Sequence, residues 1–249
     1  MNIEVNGPRV SFVIPIGDGI KISETLVTGW IIIIALFFLF RWMTKDMKKI
    51  PEKKRQIFAE MIVNFFNKTV KEMMGESMMH FAPYVATIFT FAITGALISL
   101  LGFRSMTVDI NTTGTWAMMT FACITYYKFK TSGFLGYFIG YTQPVPVMTP
   151  MNILSEAATP VSMAIRMFGN MTGGMIITTL VYGGLTAASS AVYNLIGVGG
   201  MGWTKYFSIF QIGIPAVLSI YFDLFSGIIQ SYVFIMLTMA YVKAAASSE

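Results

Sequence analysis

Between Val161 and Leu185 the chain stays largely apolar for long enough to cross a bilayer, yet this stretch carries Arg166. An arginine in hydrocarbon costs roughly 2.5–3.5 kcal/mol on insertion scales, and more in simulations. Unlike a lysine, an arginine does not escape by losing its proton. The plainer reading is a snorkelling or salt-bridged structural arginine. Against it, the segment holds no acid within reach on the same helix, so a partner must come from elsewhere, which favours a functional charge.

Composition turns this one segment into a class. The chain has 249 residues, of which 55% are hydrophobic and only 12% charged, with a mean hydropathy of +0.67. Soluble domains carry nearer about 25% charged residues. The expected fold is therefore an all-α integral membrane protein with about five transmembrane helices, an amphipathic interfacial helix, and two long, strongly tilted last helices. The net charge of +5 is concentrated in the run Arg41 to Arg55. That is a juxtamembrane signal rather than a nucleic-acid surface. A lone cysteine, Cys123, excludes an internal disulfide framework and a multi-cysteine metal site. A lone histidine, His80, excludes a bis-histidine haem. The 20 methionines read as flexible packing material. There is no nucleophile–base pair, no cluster of metal ligands and no G-x-x-x-x-G-K-[ST] loop. No catalytic, cofactor or nucleotide site is expected in this chain.

Charge and hydropathy divide a single membrane domain, 1–249, as follows. Residues 1–25 form an external N-terminus without a cleavable signal, since the first 24 residues include acids and only a short apolar run, Val10 to Ile16. The first span is 26–43. The basic residues after it (Arg41, Lys45, Lys48, Lys49, Lys53, Lys54 and Arg55) place that end in the cytoplasm. An amphipathic helix at 53–75 carries Ile57, Met61 and Phe65 among Lys68, Lys71 and Glu72. The second span is 81–103, followed by an external loop from Arg104 to Gly114. The third span, 114–128, is short and needs tilt or extension. Phe134 to Pro150 reads as an interfacial connector, because Pro144, Pro146 and Pro150 rule out a regular helix there. The arginine helix, 153–186, is too long to stand upright. A polar turn near Tyr193 to Gly202 leads to the last helix, 205–243, which ends in the cytoplasm. No internal repeat is apparent, which weakens an inverted-repeat transporter.

Helical spacing sorts the polar residues of the last two helices. Arg166 and Asn170, four apart, share a face, with Gly169, Gly173 and Gly174 nearby. Asp223 and Gln230, seven apart, share a face of the last helix, with Ser226 and Gly227 between them. Asp223 reads either as a structural counter-ion of Arg166 or as an ion relay. Gln230 alone would usually be helix–helix glue. Together they line a polar path through an apolar block, in which a fixed cation attracts a mobile carboxylate and blocks leakage.

At these residues the chain resembles subunit a of the F-type ATP synthase, bacterial type. The motif AIRMFGNMTGG (Ala164 to Gly174) is similar to that family's arginine helix, and Gln230 in IIQSYVFIMLTMAYV to its last-helix glutamine signature. Further matches are KTVKEMMG (Lys68 to Gly75), DINTT (Asp109 to Thr113) and MNILSEAATPVS, and the likeness covers essentially the whole chain.

The resemblance implies a stator subunit of the membrane Fo sector beside a rotating c-ring, held by peripheral-stalk b subunits and the remaining F1Fo subunits within a lipid bilayer. Two aqueous half-channels would carry protons, or Na⁺, to and from the ring carboxylates, with Arg166 as the essential charge between them. Asn170 and Gln230 would flank the arginine, and Asp223 would serve the outer half-channel. Asp109 and Asn111 would lie near its external mouth, and Glu156 on the cytoplasmic side. The membrane would be a bacterial plasma membrane, with the N-terminus outside. The chain departs from the family pattern at Met175, where relatives carry Glu or His, and at Ser99, where many carry Asn. Two rival readings remain. A secondary transporter binding an anionic substrate at Arg166 would transport as the purified chain alone. A non-catalytic membrane scaffold would tolerate loss of Arg166 and Asp223 together.

Overall fold

The protein is described by a computed structural model covering residues 10–14, 20–49, 53–101, 103–142, 145–195, 217–218 and 220–247. In hydrocarbon every backbone donor and acceptor needs an internal partner, and helices meet that demand within one segment. The described chain is accordingly almost wholly helical. A two-stranded antiparallel ribbon, β1 (Val10–Ile14) and β2 (Ile20–Ser23), precedes the helices. Among the described residues six α-helices follow: α1 (Glu24–Met43), α2 (Lys54–Met74), α3 (Ala82–Leu97), α4 (Ile110–Gly140), α5 (Thr149–Leu195) and α6 (Ser226–Ala246). A single π-helical turn, Ile220–Phe225, runs directly into α6. Among the described residues four helical stretches are long and apolar enough to cross a membrane: Glu24–Met43, Glu76–Leu101, Pro146–Leu195 and Ile220–Ala246.

The helix α4 has the length but is less apolar, because threonines stud it. Two of them bond internally: Thr115 Oγ1 donates to the Asn111 carbonyl at 2.7 Å, and Thr120 meets Thr238 of α6 at 3.4 Å. Thr90 and Thr94 of α3 likewise bond back to the carbonyls four residues earlier. Each hydroxyl is thereby hidden from the apolar surroundings.

The core lies where α3, α4, α5 and α6 meet. Ala92, Trp116, Ala117, Met163, Ala164, Met167 and Phe234 form one buried cluster, with a second around Val70, Val85, Ile124, Ile235, Met239 and Val242. Gly227 lets α6 approach α3 closely, since a Cβ there would sit 2.9 Å from the Ala96 Cβ. The outer faces remain apolar, with Phe37, Phe38, Leu135 and Leu154 among many large exposed side chains, as a lipid-facing surface requires. The helix α2 is apolar on two sides. Ala59, Phe66, Val70 and Met74 face the bundle, while Ile57, Met61 and Phe65, the residues singled out by periodicity, are exposed.

Three expectations need correction. The external loop is shorter than Arg104 to Gly114, because Ser105 caps a short 3-10 turn (Met106–Val108) and Asp109 then caps α4. Phe134 to Gly140 is helical rather than connector: a single break at Gly133, φ 70° and ψ 170°, lets the helix resume after it. The prolines do not forbid this, since Pro146 opens a 3-10 turn and Pro150 occupies the first turn of α5, where the absent N–H costs nothing. The helix α5 therefore begins at Thr149 and spans 47 residues. At 1.5 Å per residue that is about 70 Å, against roughly 30 Å of hydrocarbon, so α5 cannot stand upright across a bilayer. The expected turn beyond Leu195 and the first part of the last helix, up to residue 216, lie outside the described residues.

Candidate functional site

Arg166 lies on an exposed face of α5, and none of the described residues forms an ion pair or hydrogen bond with its guanidinium. Arg166, Gly169, Asn170 and Gly173 follow one another at helical spacing, so a bare strip runs beside the charge. Among the described residues, nothing beyond the helix's own backbone and chain neighbours stands within 4 Å of where a Cβ on Gly169 or Gly173 would point. One turn from the arginine, Asn170 bridges to α6. Its Nδ2 donates to Gln230 Oε1 at 3.4 Å, and its Oδ1 accepts from Ser226 Oγ at 3.0 Å. Gln230 is buried, so its amide fixes this polar seam from within. The seam thus joins two of the sequence-predicted residues and adds Ser226. It leaves Arg166 charged and open to whatever packs on the strip.

Glu156 lies ten residues before Arg166 on α5, about 15 Å along the axis, in a different polar group. Lys128 Nζ of α4 approaches its Oε2 at 2.9 Å. Tyr141 donates to the same oxygen at 2.5 Å, and Tyr137 donates to Oε1 at 3.1 Å. Lys128 and Tyr137 are nine residues apart, which in an unbroken helix would put them on opposite sides, about 180° around. The break at Gly133 turns the second part of α4 so that both reach one carboxylate. Pro160, buried inside α5, removes the helical donor that would otherwise bond the Glu156 carbonyl four residues back. Burial pushes the Tyr141 hydroxyl well above its ordinary range, and its bond to Glu156 adds to the rise; burial raises Tyr137 in the same direction.

This cluster borders a cavity of about 540 Å³ between α4, α5 and α6, lined also by Asn152, Ser155 and Thr159. Asn152 Nδ2 donates to the Tyr141 carbonyl at 2.9 Å and so ties the start of α5 to the end of α4. Sequence reasoning found Glu156 but not its partners. Tyr137 and Tyr141, four apart and each directly after a glycine (Gly136 and Gly140), are the available signal, obscured when the prolines make that segment read as irregular.

Asp109 is buried and has both oxygens engaged. Oδ1 accepts from the Asn111 backbone N–H at 3.0 Å, capping α4, and Oδ2 accepts from Thr25 Oγ1 of α1 at 2.7 Å. Asn111 contributes that backbone N–H while its side chain is exposed. Asp223 belongs to the π turn before α6, and its side chain lies outside the described residues. Met175 packs against the buried group Ala96, Val108 and Met171, and Ser99 Oγ donates to the Ala96 carbonyl at 2.7 Å. The sequence-predicted site residues whose side chains are described therefore fall into two separate polar groups, the seam beside Arg166 and the cavity around Glu156, with Asp109 and Asn111 apart from both.

Comparison with known proteins bears on this arrangement. The sequence matches the family model described as ATP synthase A chain over residues 26–243. It is 32% identical to "ATP synthase subunit a, sodium ion specific" of Propionigenium modestum, covering 97% of this chain and 86% of that protein. It is also similar to "ATP synthase subunit a 1" of Prosthecochloris aestuarii, 27% identical over 92% of each chain. To "ATP synthase subunit a" of Moorella thermoacetica it is 27% identical over 90% of each.

Proposed function

The chain belongs to the ATP synthase A chain family, and on that premise we propose that Arg166 is the fixed charge dividing two ion paths in the Fo stator. The family's ion-translocating role in the membrane Fo complex is the role of this multi-pass membrane chain. The proposal concerns which residues perform it. The observation that carries it is the exposed guanidinium of Arg166, unpaired among the described residues, on a glycine strip backed by the Asn170–Ser226–Gln230 seam.

A helix of the rotating c-ring would pass along that strip, where the absence of side chains on Gly169 and Gly173 leaves room for it. Its carboxylate, on reaching Arg166, would be held ionised and give up its proton or Na⁺. A charge cannot slip directly from one path to the other past a guanidinium that never loses its own proton. The cavity at Glu156, near Lys128 and the end of α6, would be the cytoplasmic path. Asp223 would serve the outer path. Asp109 would act there as a strut, with the exposed Asn111 at the mouth. Peripheral-stalk b subunits and the rest of the F1Fo complex are the further partners. The membrane is a bacterial plasma membrane, with the N-terminus outside and the C-terminus cytoplasmic.

The test is Arg166→Ala in the assembled complex, with ion-driven ATP synthesis measured in proteoliposomes. Synthesis should be lost although the complex still contains its ring. Retained coupled synthesis would overturn the reading.

A further inference from the structure

We propose that Lys128 is a tethered counter-cation that keeps Glu156 from capturing the transported ion, so that the cavity conducts the ion rather than binding it. This inference rests on the stator reading above and adds a residue which that reading does not assign.

Ion pairing and solvation argue for it together. Glu156 is nearly buried, its side chain 10% exposed, inside a cavity that opens between α4, α5 and α6. A lone carboxylate in such a place is a trap for any small cation. With two tyrosine hydroxyls and neighbouring amide and hydroxyl oxygens it would offer Na⁺ a set of oxygen ligands, or hold a proton. Lys128 removes that property. Its Nζ stands 2.9 Å from Oε2 and 6.0 Å from the centre of the Tyr137 ring, so the carboxylate's charge is already matched. The titratable groups that line the cavity with Glu156 are Lys128 and Tyr137 of α4, Tyr141 just past its end, and Tyr241 of α6. Among the described lining residues Lys128 alone is a cation. Because the ammonium is attached to α4 it cannot leave with the ion. The Lys128 side chain is one-third exposed, against one-tenth for Glu156, so the pair reaches from the solvent-accessible part of the site to its buried carboxylate.

The geometry is bought by an unusual backbone. Without the Gly133 break, Lys128 and Tyr137 could not converge on one carboxylate, and Tyr141 would not stand over the same group. The conformation there is one that only glycine adopts without strain.

The experiment uses the complete complex reconstituted in liposomes, with ATP synthesis measured while the cation on the cavity side is varied. One series lowers the pH at fixed Na⁺; the other raises Na⁺ at fixed pH, which distinguishes a trapped proton from a trapped sodium ion. An opposite charge at this distance alters a carboxylate's proton affinity on the order of 10- to 1,000-fold. Lys128→Met should therefore lower synthesis several-fold, and more steeply than wild type as the cavity-side cation rises in one of the two series. Lys128→Arg should keep the wild-type response. Adding Glu156→Gln to Lys128→Met should abolish the extra cation dependence.

A Lys128→Met complex that follows the wild-type curve in both series would overturn the inference. So would a uniform loss that ignores the cation, which is what a merely structural pair gives. Should Lys128→Met fail to assemble, the double variant decides: assembly with a wild-type cation response supports the inference, and failure to assemble overturns it. Arg166→Ala run alongside separates the two proposals. Retained coupling there sinks the stator reading, whereas a dead Arg166→Ala with an indifferent Lys128→Met sinks this inference alone.

Discussion

Replacing Asp109 should damage the fold before it damages transport. The carboxylate does two jobs: Oδ1 caps α4 through the Asn111 N–H at 3.0 Å, and Oδ2 receives Thr25 Oγ1 at 2.7 Å, tying α1 to α4 across the sequence. Loss of an N-cap costs about 1 kcal/mol, within a range of about 0.5–2. Loss of a buried hydrogen bond to a charged acceptor costs about 1.5–3 kcal/mol. Asp109→Ala should therefore destabilise by about 2–5 kcal/mol, and Thr25→Val, which spares the cap, by about 1.5–3. The pair should couple in a double-mutant cycle by most of the second figure, because each single change already breaks the same bond. Asp109→Asn retains an amide oxygen for the cap, and its cost should fall well below that of alanine. The assay is reversible unfolding in mixed micelles, followed by ATP synthesis from complexes that assemble. A coupling energy near zero would refute the strut. A stable Asp109→Asn complex that no longer transports ions would refute it equally, by making Asp109 part of the path.

Other expectations follow from single contacts. Gly227→Val should cost about 1–3 kcal/mol, because a Cβ there meets Ala96 at 2.9 Å, and Ala96→Gly should recover part of it in the same unfolding assay. Gly133→Ala forces a non-glycine residue into a conformation costing about 1–3 kcal/mol; it should separate Tyr137 from Glu156, read as a loss of protection in hydrogen exchange at the end of α4. Asn170→Ala removes both links to α6, so coupled synthesis should fall while the complex stays assembled; an unchanged synthesis rate would deny the seam a role. The raised Tyr141 hydroxyl gives a pH dependence. The folded state holds its proton more tightly than the unfolded chain does, so the stability it contributes is full below an ordinary tyrosine's value of 10.0 and is lost as the pH climbs above it. Tyr141→Phe should flatten that alkaline loss in unfolding measured against pH.

Much of this fold was legible because membrane segments advertise themselves. Apolar runs of bilayer length, a dense basic cluster after the first, and an arginine inside another were enough to give an all-helical chain. Arg166 and Asn170 were placed on one face by spacing alone. What escaped depended on contacts between distant segments. Glu156 was found without its partners, since Lys128 and Tyr137 would diverge on a straight helix and meet only because Gly133 breaks it. The prolines near 146 and 150 suggested irregularity, although both sit at helix starts, where proline is favoured. Asp109 was read as a channel-mouth group, yet an aspartate followed by a helix is first of all a cap. In α2 the periodic apolar residues Ile57, Met61 and Phe65 lie on an exposed side while Ala59, Phe66 and Val70 meet the bundle, because an apolar pattern alone does not distinguish a face that meets lipid from one that meets protein.

Arg166 is proposed to separate two ion paths, with no permanent partner among the described residues. Its most direct test is the passive ion conductance of membranes holding an Arg166→Ala complex, measured under an imposed potential without nucleotide. A voltage of 100 mV drives each elementary charge with about 2.3 kcal/mol, so a path opened by removing the guanidinium should conduct. The account predicts an ion leak that wild type lacks, together with loss of coupled synthesis. A membrane that stays tight and still makes ATP would contradict it.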